Sequence, residues 1–326
     1  MPGEHLHVVV IGAGAFGGWT ALHLREAGHR VTLVDAWGPG NSRASSGGET
    51  RVIRCLYGGR QEYTRLTRRA FDLWAEHEAR AGERLLVRTG ALWLFEGDDG
   101  YARASLPHLE AEGLPIRELS PADVARAFPQ VSIEGVRTAF FEPHAGYLHA
   151  RRACHLVRDA FVKLAGEWHL GYVVPGRIAG DSMAAVRLAD GSTLAGDVFV
   201  FACGAWLGRL FPDVIGDLIR PTRQEKFYFG TPPGDPRFDE PAMPVWLDFA
   251  ADGHMVYGTP GNAYRGFKAA DDARGGPIDP TTDDRIPSPE ALAFVRSRLA
   301  HRFPALASAP VVETRVCQYE QTPDGN

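Results

Sequence analysis

The sequence has few cysteines, no long apolar run and no strong excess of charge of one sign, and each absence excludes a class of protein. Its four cysteines are widely separated and include no C-x-x-C pair, which excludes a disulfide framework and a zinc site and indicates reduced thiols in a cytoplasmic protein. No apolar run approaches the roughly 20 residues that span a bilayer, and residues 1–5 lack the basic start of a signal peptide. The formal charge of −5 gives no reason to expect nucleic acid or an anionic membrane as a partner.

The first 35 residues carry the pattern of a βαβ dinucleotide-binding unit. An apolar strand, a helix and a second apolar strand are predicted in order within residues 8–34. Gly12, Gly14 and Gly17 have G-x-G-x-x-G spacing, so that the first allows a tight turn, the second a close approach to a pyrophosphate, and the third close helix–strand packing. Asp35 ends the second strand, where it can accept hydrogen bonds from an adenosine ribose. This Rossmann-type unit does not distinguish FAD from NAD, although the acid disfavours NADP.

A second glycine-containing segment follows about a dozen residues after the ribose acid and carries two arginines. Residues 45–54 read S-S-G-G-E-T-R-V-I-R, with Arg51 and Arg54 three positions apart. The segment can return the chain across the cofactor toward its reactive end. On composition alone, a solvated loop with scattered charge is the alternative.

Residues 9–35 and 46–54 together resemble the amine-oxidising flavoproteins of the D-amino-acid oxidase superfamily, in particular the branch of monomeric sarcosine oxidase and N-methyltryptophan oxidase. The resemblance implies FAD as the cofactor, Arg51 beside the flavin ring and Arg54 as the clamp of a substrate carboxylate. A guanidinium fork suits that role because it matches a carboxylate with two parallel hydrogen bonds. The cofactor contacts implied outside the glycine loop are Ser46, Thr50 and Arg51, followed by Ala202, Gly204 and Trp206.

Three later segments extend the resemblance. Residues 198–206 form an apolar strand that ends in small residues, which lets backbone pass close to a cofactor. The spacing of Tyr257 and Lys268 is similar to that of the family's pocket tyrosine and of its lysine near flavin N5, where a cation would stabilise charge developing on oxygen. Cys317 lies in a segment resembling C-x-Y-x-x-T-P-D, whose cysteine is joined to the flavin by a thioether. The resemblance therefore implies covalent FAD at Cys317, the alternative being a buried strand cysteine with non-covalent FAD.

The sequence departs from the family's pattern in three places. Gly47 and Asp272 stand where the sarcosine-oxidising branch has histidines, so sarcosine itself is not the expected substrate. Members of the family also continue for several tens of residues past the position of Asn326, with a further strand, a glycine-rich loop and a carboxylate-binding lysine. We therefore expect a chain that lacks this C-terminal segment.

The expected fold class is α/β (α+β overall), with a Rossmann-type FAD-binding domain interleaved with a substrate domain of mixed or antiparallel sheet. The FAD-binding domain is predicted at residues 1–88, 143–219 and 310–326, and the substrate domain at 89–142 and 220–309. Outside the βαβ unit, helices are predicted at residues 61–81, 101–112, 121–128, 150–165 and 289–303.

The expected function is oxidation of the C–N bond of an amino acid or N-alkyl amino acid by a monomeric FAD enzyme. The product would be an imine, and oxygen would be reduced to hydrogen peroxide. Two alternatives are a flavin dehydrogenase of the same fold with another electron acceptor, and a truncated non-catalytic nucleotide-binding protein. An NAD-dependent dehydrogenase is a third, in which Cys317 and the arginine segment have no use.

Overall fold

The computed structural model describes residues 5–262 and 265–323, which fold into helices packed on several β-sheets. In these residues the helices are α1 (Ala15–Glu26), α2 (Gln61–Ala81), α3 (Gly100–Ala111), α4 (Pro121–Ala127), α5 (Ala150–Lys163), α6 (Leu207–Leu210), α7 (Pro212–Ile215) and α8 (Pro289–Arg302). The first ten strands are β1 (His7–Ile11), β2 (Arg30–Asp35), β3 (Thr50–Ile53), β4 (Leu86–Val87), β5 (Ala91–Phe95), β6 (Arg117–Leu119), β7 (Thr138–Glu142), β8 (Gly146–His149), β9 (Glu167–Leu170) and β10 (Val173–Val174). The remaining strands are β11 (Ile178–Ala179), β12 (Ser182–Met183), β13 (Ala185–Leu188), β14 (Thr193–Ala195), β15 (Val198–Phe201), β16 (Arg220–Phe229), β17 (Val245–Phe249), β18 (Met255–Thr259), β19 (Phe267–Asp271) and β20 (Val311–Gln321). The helices predicted from the sequence are confirmed, with small shifts at their ends.

The first sheet is parallel and has the strand order β15-β1-β2-β9. Its two central strands are apolar along their length because both faces of the sheet are covered. Val8 and Val10 pack with Val157 and Phe161 of α5 on one face. Val9 packs with residues of the small β10-β13-β14 sheet on the other. The predicted βαβ unit is therefore present, and the carboxyl ends of its strands point to one crevice.

The second large sheet has eight strands in the order β20-β16-β19-β18-β17-β5-β7-β6. Of its pairs only β17–β5 is parallel. One face packs on α8 through an apolar cluster that includes Trp246, Phe267 and Phe303. Trp93 and Tyr257 lie on the opposite face, which packs near the three-stranded sheet β3-β8-β4. This opposite face carries the polar residues of the candidate site.

The predicted assignment of residues 310–326 to the FAD-binding domain stays a prediction, and the structure shows the sheet to which β20 belongs. This strand pairs antiparallel with β16 from Arg220↔Gln321 to Phe229↔Val311, and so belongs to the eight-stranded sheet. β20 and β16 have similar lengths and can form a continuous antiparallel ladder. β20 cannot pair with β1 of the parallel sheet, because β15 and β2 already pair with both edges of β1. Asp324 of the family segment lies outside the described residues.

No helix in residues 5–262 or 265–323 combines the length and apolarity needed to cross a bilayer.

Candidate functional site

A cavity of about 820 Å³ lies at the carboxyl ends of β1 and β2 and extends to β20. Its volume is that of a small-molecule or cofactor site. Ligands of open α/β sheets bind in the crevice outside the carboxyl ends of the strands, which is where this cavity lies. Of the predicted cofactor residues, those that line it are Gly12, Gly14, Asp35, Ser46, Arg51, Ala202, Gly204 and Trp206. Six other predicted site residues do not line this cavity: Gly17, Thr50, Arg54, Tyr257, Lys268 and Cys317.

The glycine loop is shaped by close backbone contacts. Gly12 has a φ of +106°, and a Cβ atom there would lie 2.4 Å from the carbonyl oxygen of Ala202. A Cβ on Gly17 would lie 1.8 Å from the carbonyl oxygen of Gly12, so this glycine permits the helix to pack on the loop. Gly14 precedes α1 and has no side chain to cap it, which suits an approaching phosphate. Ser46 lies at the same helix start, where its Oγ accepts a hydrogen bond from Ala15 N at 3.3 Å.

We expect Gly14→Ala to weaken FAD binding about 10- to 100-fold without loss of the fold. The new methyl group would meet only the Ser46 Oγ at 3.1 Å within the protein, but it would project toward the cavity where phosphate must approach. Flavin retention during dialysis measures the effect when Gly14→Ala and its control are made in the Cys317→Ser background, where no thioether can hold the cofactor. Gly59→Ala is the matched control, because a Cβ there meets no atom within 4 Å. Equal flavin loss from both variants would contradict the assigned role of Gly14.

Asp35 ties the glycine loop to the end of β2. Its Oδ2 accepts a hydrogen bond from Ala13 N at 2.7 Å, and its Oδ1 accepts from Trp37 N and Gly38 N at 2.8 Å each. A carboxylate has further lone pairs, so these bonds leave capacity for a ribose hydroxyl. The predicted ribose contact therefore stays a prediction, beside a structural role that the sequence did not indicate.

Arg51 and Cys317 meet between β3 and β20. Arg51 Nη2 lies 3.3 Å from Cys317 Sγ and also donates to the carbonyl oxygen of Ser45. Cys317 is 7% exposed. Burial alone would raise its pKa, but the positive charges of Lys226 and Arg51 outweigh burial and lower the pKa to about 6. The sulfur is therefore a thiolate near neutral pH.

Lys268 and Tyr257 lie on the same face of the eight-stranded sheet as Cys317. Lys268 is 1% exposed, and its Nζ lies 3.4 Å from the carbonyl oxygen of Thr50 and 5.5 Å from the ring centroid of Tyr257. Burial, with the charges of Lys226 and Arg51, holds the pKa of Lys268 well below its usual value. The structure thus brings the predicted residues Thr50, Arg51, Tyr257, Lys268 and Cys317 into one cluster.

Arg54 is oriented by aromatic rings and a buried acid. Its guanidinium carbon lies 4.1 Å from the ring centroid of Tyr57 and 5.4 Å from that of Trp93, and its Nη1 donates to Leu56 O at 2.6 Å. Glu142 is the buried acid near Arg54. Burial raises the pKa of its carboxyl to about 7, although the hydrogen bond from Cys55 N and the charge of Arg54 both act to lower it. Arg54 is only partly buried, so part of its fork remains open to a ligand.

Sequence reasoning did not identify Glu142, Lys226 or Tyr319 as site residues, and it named Asp272 only as a departure from the family's pattern. Tyr319 OH donates to Asp272 Oδ1 at 2.7 Å and lies 3.5 Å from Tyr257 OH. Burial raises the pKa of Asp272, opposed by the Tyr319 hydrogen bond and the charge of Arg54. The tyrosine of C-x-Y and the acid at a departing position were available signals. Lys226, within the all-polar run T-R-Q-E-K, gave none.

Comparison with known proteins places the chain among flavoenzymes. A family model described as FAD dependent oxidoreductase matches residues 7–326. The monomeric sarcosine oxidase of Bacillus sp. (strain B-0618) is 28% identical over 333 residues, covering 98% of this chain and 82% of the relative. The N-methyl-L-tryptophan oxidase of Yersinia pestis (strain Pestoides F) is 25% identical over 331 residues, covering 97% and 84%.

A solved structure supports the same architecture. The L-proline dehydrogenase from P. horikoshii superposes with a TM-score of 0.83 at 20% identity, covering 99% of this chain and 83% of that one. This likeness concerns the fold, and it confirms the predicted fold class.

Proposed function

The chain belongs to the family of FAD-dependent oxidoreductases, and from this premise we propose that it oxidises the C–N bond of an amino acid or N-alkyl amino acid, with molecular oxygen as electron acceptor. FAD as the cofactor and the likeness to sarcosine oxidases follow from the family and its relatives. The substrate class, the acceptor and the roles of individual residues are our proposal. We also propose that the chain acts as a monomer, which light scattering tests.

The observation that carries the proposal is the cluster of Arg51, Lys268 and Cys317 beside the cavity at the glycine loop. The residues of the cavity fit FAD, because the glycine loop and the start of α1 suit a pyrophosphate and Asp35 suits a ribose. Arg51 lines this cavity and also contacts Cys317, so it links the nucleotide site to the polar face of the eight-stranded sheet. A nicotinamide enzyme would have no use for this thiol and these cations.

FAD, when bound, supplies the acceptor for a hydride equivalent from the carbon next to the amine. Arg54 would hold the substrate carboxylate with its open fork, which fixes the direction of the amine end. Tyr257, Tyr319 and Asp272 would form the polar wall opposite, and the imine product would hydrolyse in water. Lys268 and Arg51 would stabilise the negative charge that develops as oxygen is reduced to hydrogen peroxide.

The pocket differs in charge from one built around histidines. Asp272 adds an acceptor that Tyr319 already engages at 2.7 Å, whereas Gly47 adds no side chain. Because neither histidine position of the sarcosine-oxidising branch is kept, we propose N-alkyl amino acids other than sarcosine, cyclic amino acids or D-amino acids as substrates.

We also propose that Cys317 is joined to the flavin through sulfur. The thiolate would supply the electron pair of the new S–C bond, and the flavin methyl carbon would give up one proton. The two electrons released in this replacement of hydrogen by sulfur would pass to molecular oxygen, giving hydrogen peroxide. A thiol of low pKa beside two cations suits this role.

Two measurements test the proposed function. The absorbance spectrum of the purified protein should show bound flavin, and a peroxide screen over N-methyl, cyclic and D-amino acids should find turnover in air. Flavin reduction by an amino acid without peroxide release would favour a dehydrogenase of the same fold. Protein that binds no flavin would refute the assignment.

We expect Cys317→Ser to retain flavin in the native state and release all of it on acid denaturation, whereas the wild-type polypeptide stays yellow. The serine keeps the volume of the side chain but provides no thiolate. Cys203→Ser is the matched control: this thiol also lines the cavity, but burial raises its pKa to about 12. Free flavin from acid-treated wild type would rule out the linkage.

A further inference from the structure

Lysine is rare in this chain, and two of its three lysines are buried in one place. Of the 35 lysines and arginines, only Lys163, Lys226 and Lys268 are lysines. Lys163 is exposed at the end of α5, whereas Lys226 and Lys268 are 3% and 1% exposed. Burial of a lysine is costly unless a negative charge compensates it. The buried pair therefore requires a physical explanation.

Lys226 lies on the face of β16 that meets Cys317. Along this strand Phe227 and Phe229 point into the apolar core, so Gln224 and Lys226 point to the opposite face. Gln224 is the cross-strand partner of Cys317 in the antiparallel register. Neither Gln224 Nε2 nor Lys226 Nζ has a hydrogen-bond partner among the residues that the structure describes. Gln224 and Lys226 are thus buried donors on the sheet face that carries Cys317, and neither is held by a hydrogen bond within the described residues.

The charges around Cys317 come from several elements. The cations are Arg51 on β3, Lys226 on β16, Lys268 on β19, Arg315 on β20 and Arg285 before α8. The groups able to become anions are Tyr257 on β18, with Tyr319 and Glu320 on β20, and burial raises the pKa of each. Arg315 is already paired with Glu313 at 2.6 Å and with Glu49 at 3.3 Å. The sulfur, whose pKa is lowered to about 6, is the anion that faces Lys226 and Arg51.

We propose that Lys226 is a positioning residue that, together with Arg51, holds the sulfur of Cys317 as a thiolate and so prepares it for bond formation. The use of the thiolate rests on the flavin linkage proposed above, but the thiolate itself does not. Arg51 also serves the flavin neighbourhood, since it lines the cavity. Lys226 Nζ has no hydrogen-bond partner in the described residues, and it lies on the strand face of Gln224, the cross-strand partner of Cys317, so the thiolate is the charge available to compensate it.

The pH range follows from the two groups. Burial and the charge of Arg51 lower the pKa of Lys226 to about 8, while Cys317 raises it again in part. Between the pKa of Cys317, about 6, and that of Lys226, about 8, the pair is therefore a thiolate and an ammonium. Below this range the thiol is protonated and unreactive, and above it Lys226 is neutral while the thiolate remains.

The test compares Lys226→Met, Lys226→Arg and the surface control Lys163→Met in the full-length chain, produced with limiting riboflavin so that Cys317 is unmodified. The ultraviolet absorbance of the thiolate is followed as the pH is lowered, with Cys317→Ser as the blank. Iodoacetamide labelling of Cys317, located by peptide mass spectrometry, gives a second titration. The other thiols do not interfere, because burial raises the pKa of Cys55, Cys154 and Cys203.

In Lys226→Met we expect the apparent pKa of Cys317 to rise by about 1–3 units, the usual effect of losing a neighbouring opposite charge. Lys226→Arg should keep the low value, and Lys163→Met should match the wild type. After flavin is added, Lys226→Met should form the flavin linkage slowly near neutral pH, and the rate of linkage should recover at alkaline pH, where Cys317 loses its proton. A lysine with a purely structural role would not produce this pH dependence. Wild-type titration of Cys317 in Lys226→Met would overturn the proposal. A wild type that has the thiolate but never links flavin would overturn the linkage and leave the role of Lys226 intact.

Discussion

Replacement of Lys268 by methionine is expected to slow the reaction of the reduced enzyme with oxygen by about 100- to 1000-fold, the usual cost of losing one preorganised charge at a reacting centre. Lys268 is 1% exposed, so no solvent screens its side chain from charge developing nearby. Burial and neighbouring cations lower its pKa, and negative charge developing on oxygen favours the protonated form of its amine. Its closest partners are the carbonyl oxygen of Thr50 at 3.4 Å and the Tyr257 ring, neither of which neutralises it.

Stopped-flow measurement of the two half-reactions separates this role from a structural one. Anaerobic flavin reduction by substrate should change far less than reoxidation, because hydride transfer to the flavin does not create charge on oxygen. Lys268→Arg should retain part of the oxygen rate, since it keeps a cation but cannot lose its proton. Lys163→Met should behave as the wild type. Equal slowing of both half-reactions would show that Lys268 acts through the shape of the site.

The parts of the site that the sequence predicted well are those with a local pattern. The strand, glycine loop, helix and Asp35 follow one another within about 30 residues, and their spacing is fixed by the geometry of one βαβ unit. The helix Gln61–Ala81 was predictable for a similar reason, because its apolar residues recur with the helical period. In both cases residues that are close in the sequence are also close in the structure.

The cluster on the eight-stranded sheet has no such local pattern. Thr50, Lys268 and Cys317 come from three strands far apart in the chain, and only resemblance to a family indicated that they meet. The family resemblance did not indicate Lys226 either, and a strand with polar residues on both faces does not reveal which face is buried. The pairing of β20 with β16 could not be predicted, because strand pairing depends on long-range register, which the sequence of one strand does not contain.

Arg54→Met is expected to lower kcat/KM for carboxylate-bearing substrates by about 100- to 1000-fold, the range found when one partner of a buried charge pair is removed. The guanidinium has a fixed direction, since it lies between the Tyr57 and Trp93 rings and donates to Leu56 O at 2.6 Å. A substrate carboxylate would meet a fork already oriented, so little of its binding energy is lost to ordering the side chain.

An amine that matches the best substrate but lacks the carboxylate distinguishes the clamp from a structural role. Its kcat/KM should be low in the wild type and almost unchanged in Arg54→Met, because it never contacts the guanidinium. Arg54→Lys should recover only part of the preference for the carboxylate, since an ammonium keeps the charge but loses the two parallel bonds. Loss of Arg54 also removes the charge that opposes protonation of Glu142, whose pKa is already raised to about 7, so that acid becomes neutral at physiological pH and the fold tolerates the change. If the two substrates lose activity equally, Arg54 supports the pocket through Glu142 and the aromatic rings, and the substrate carboxylate is bound elsewhere.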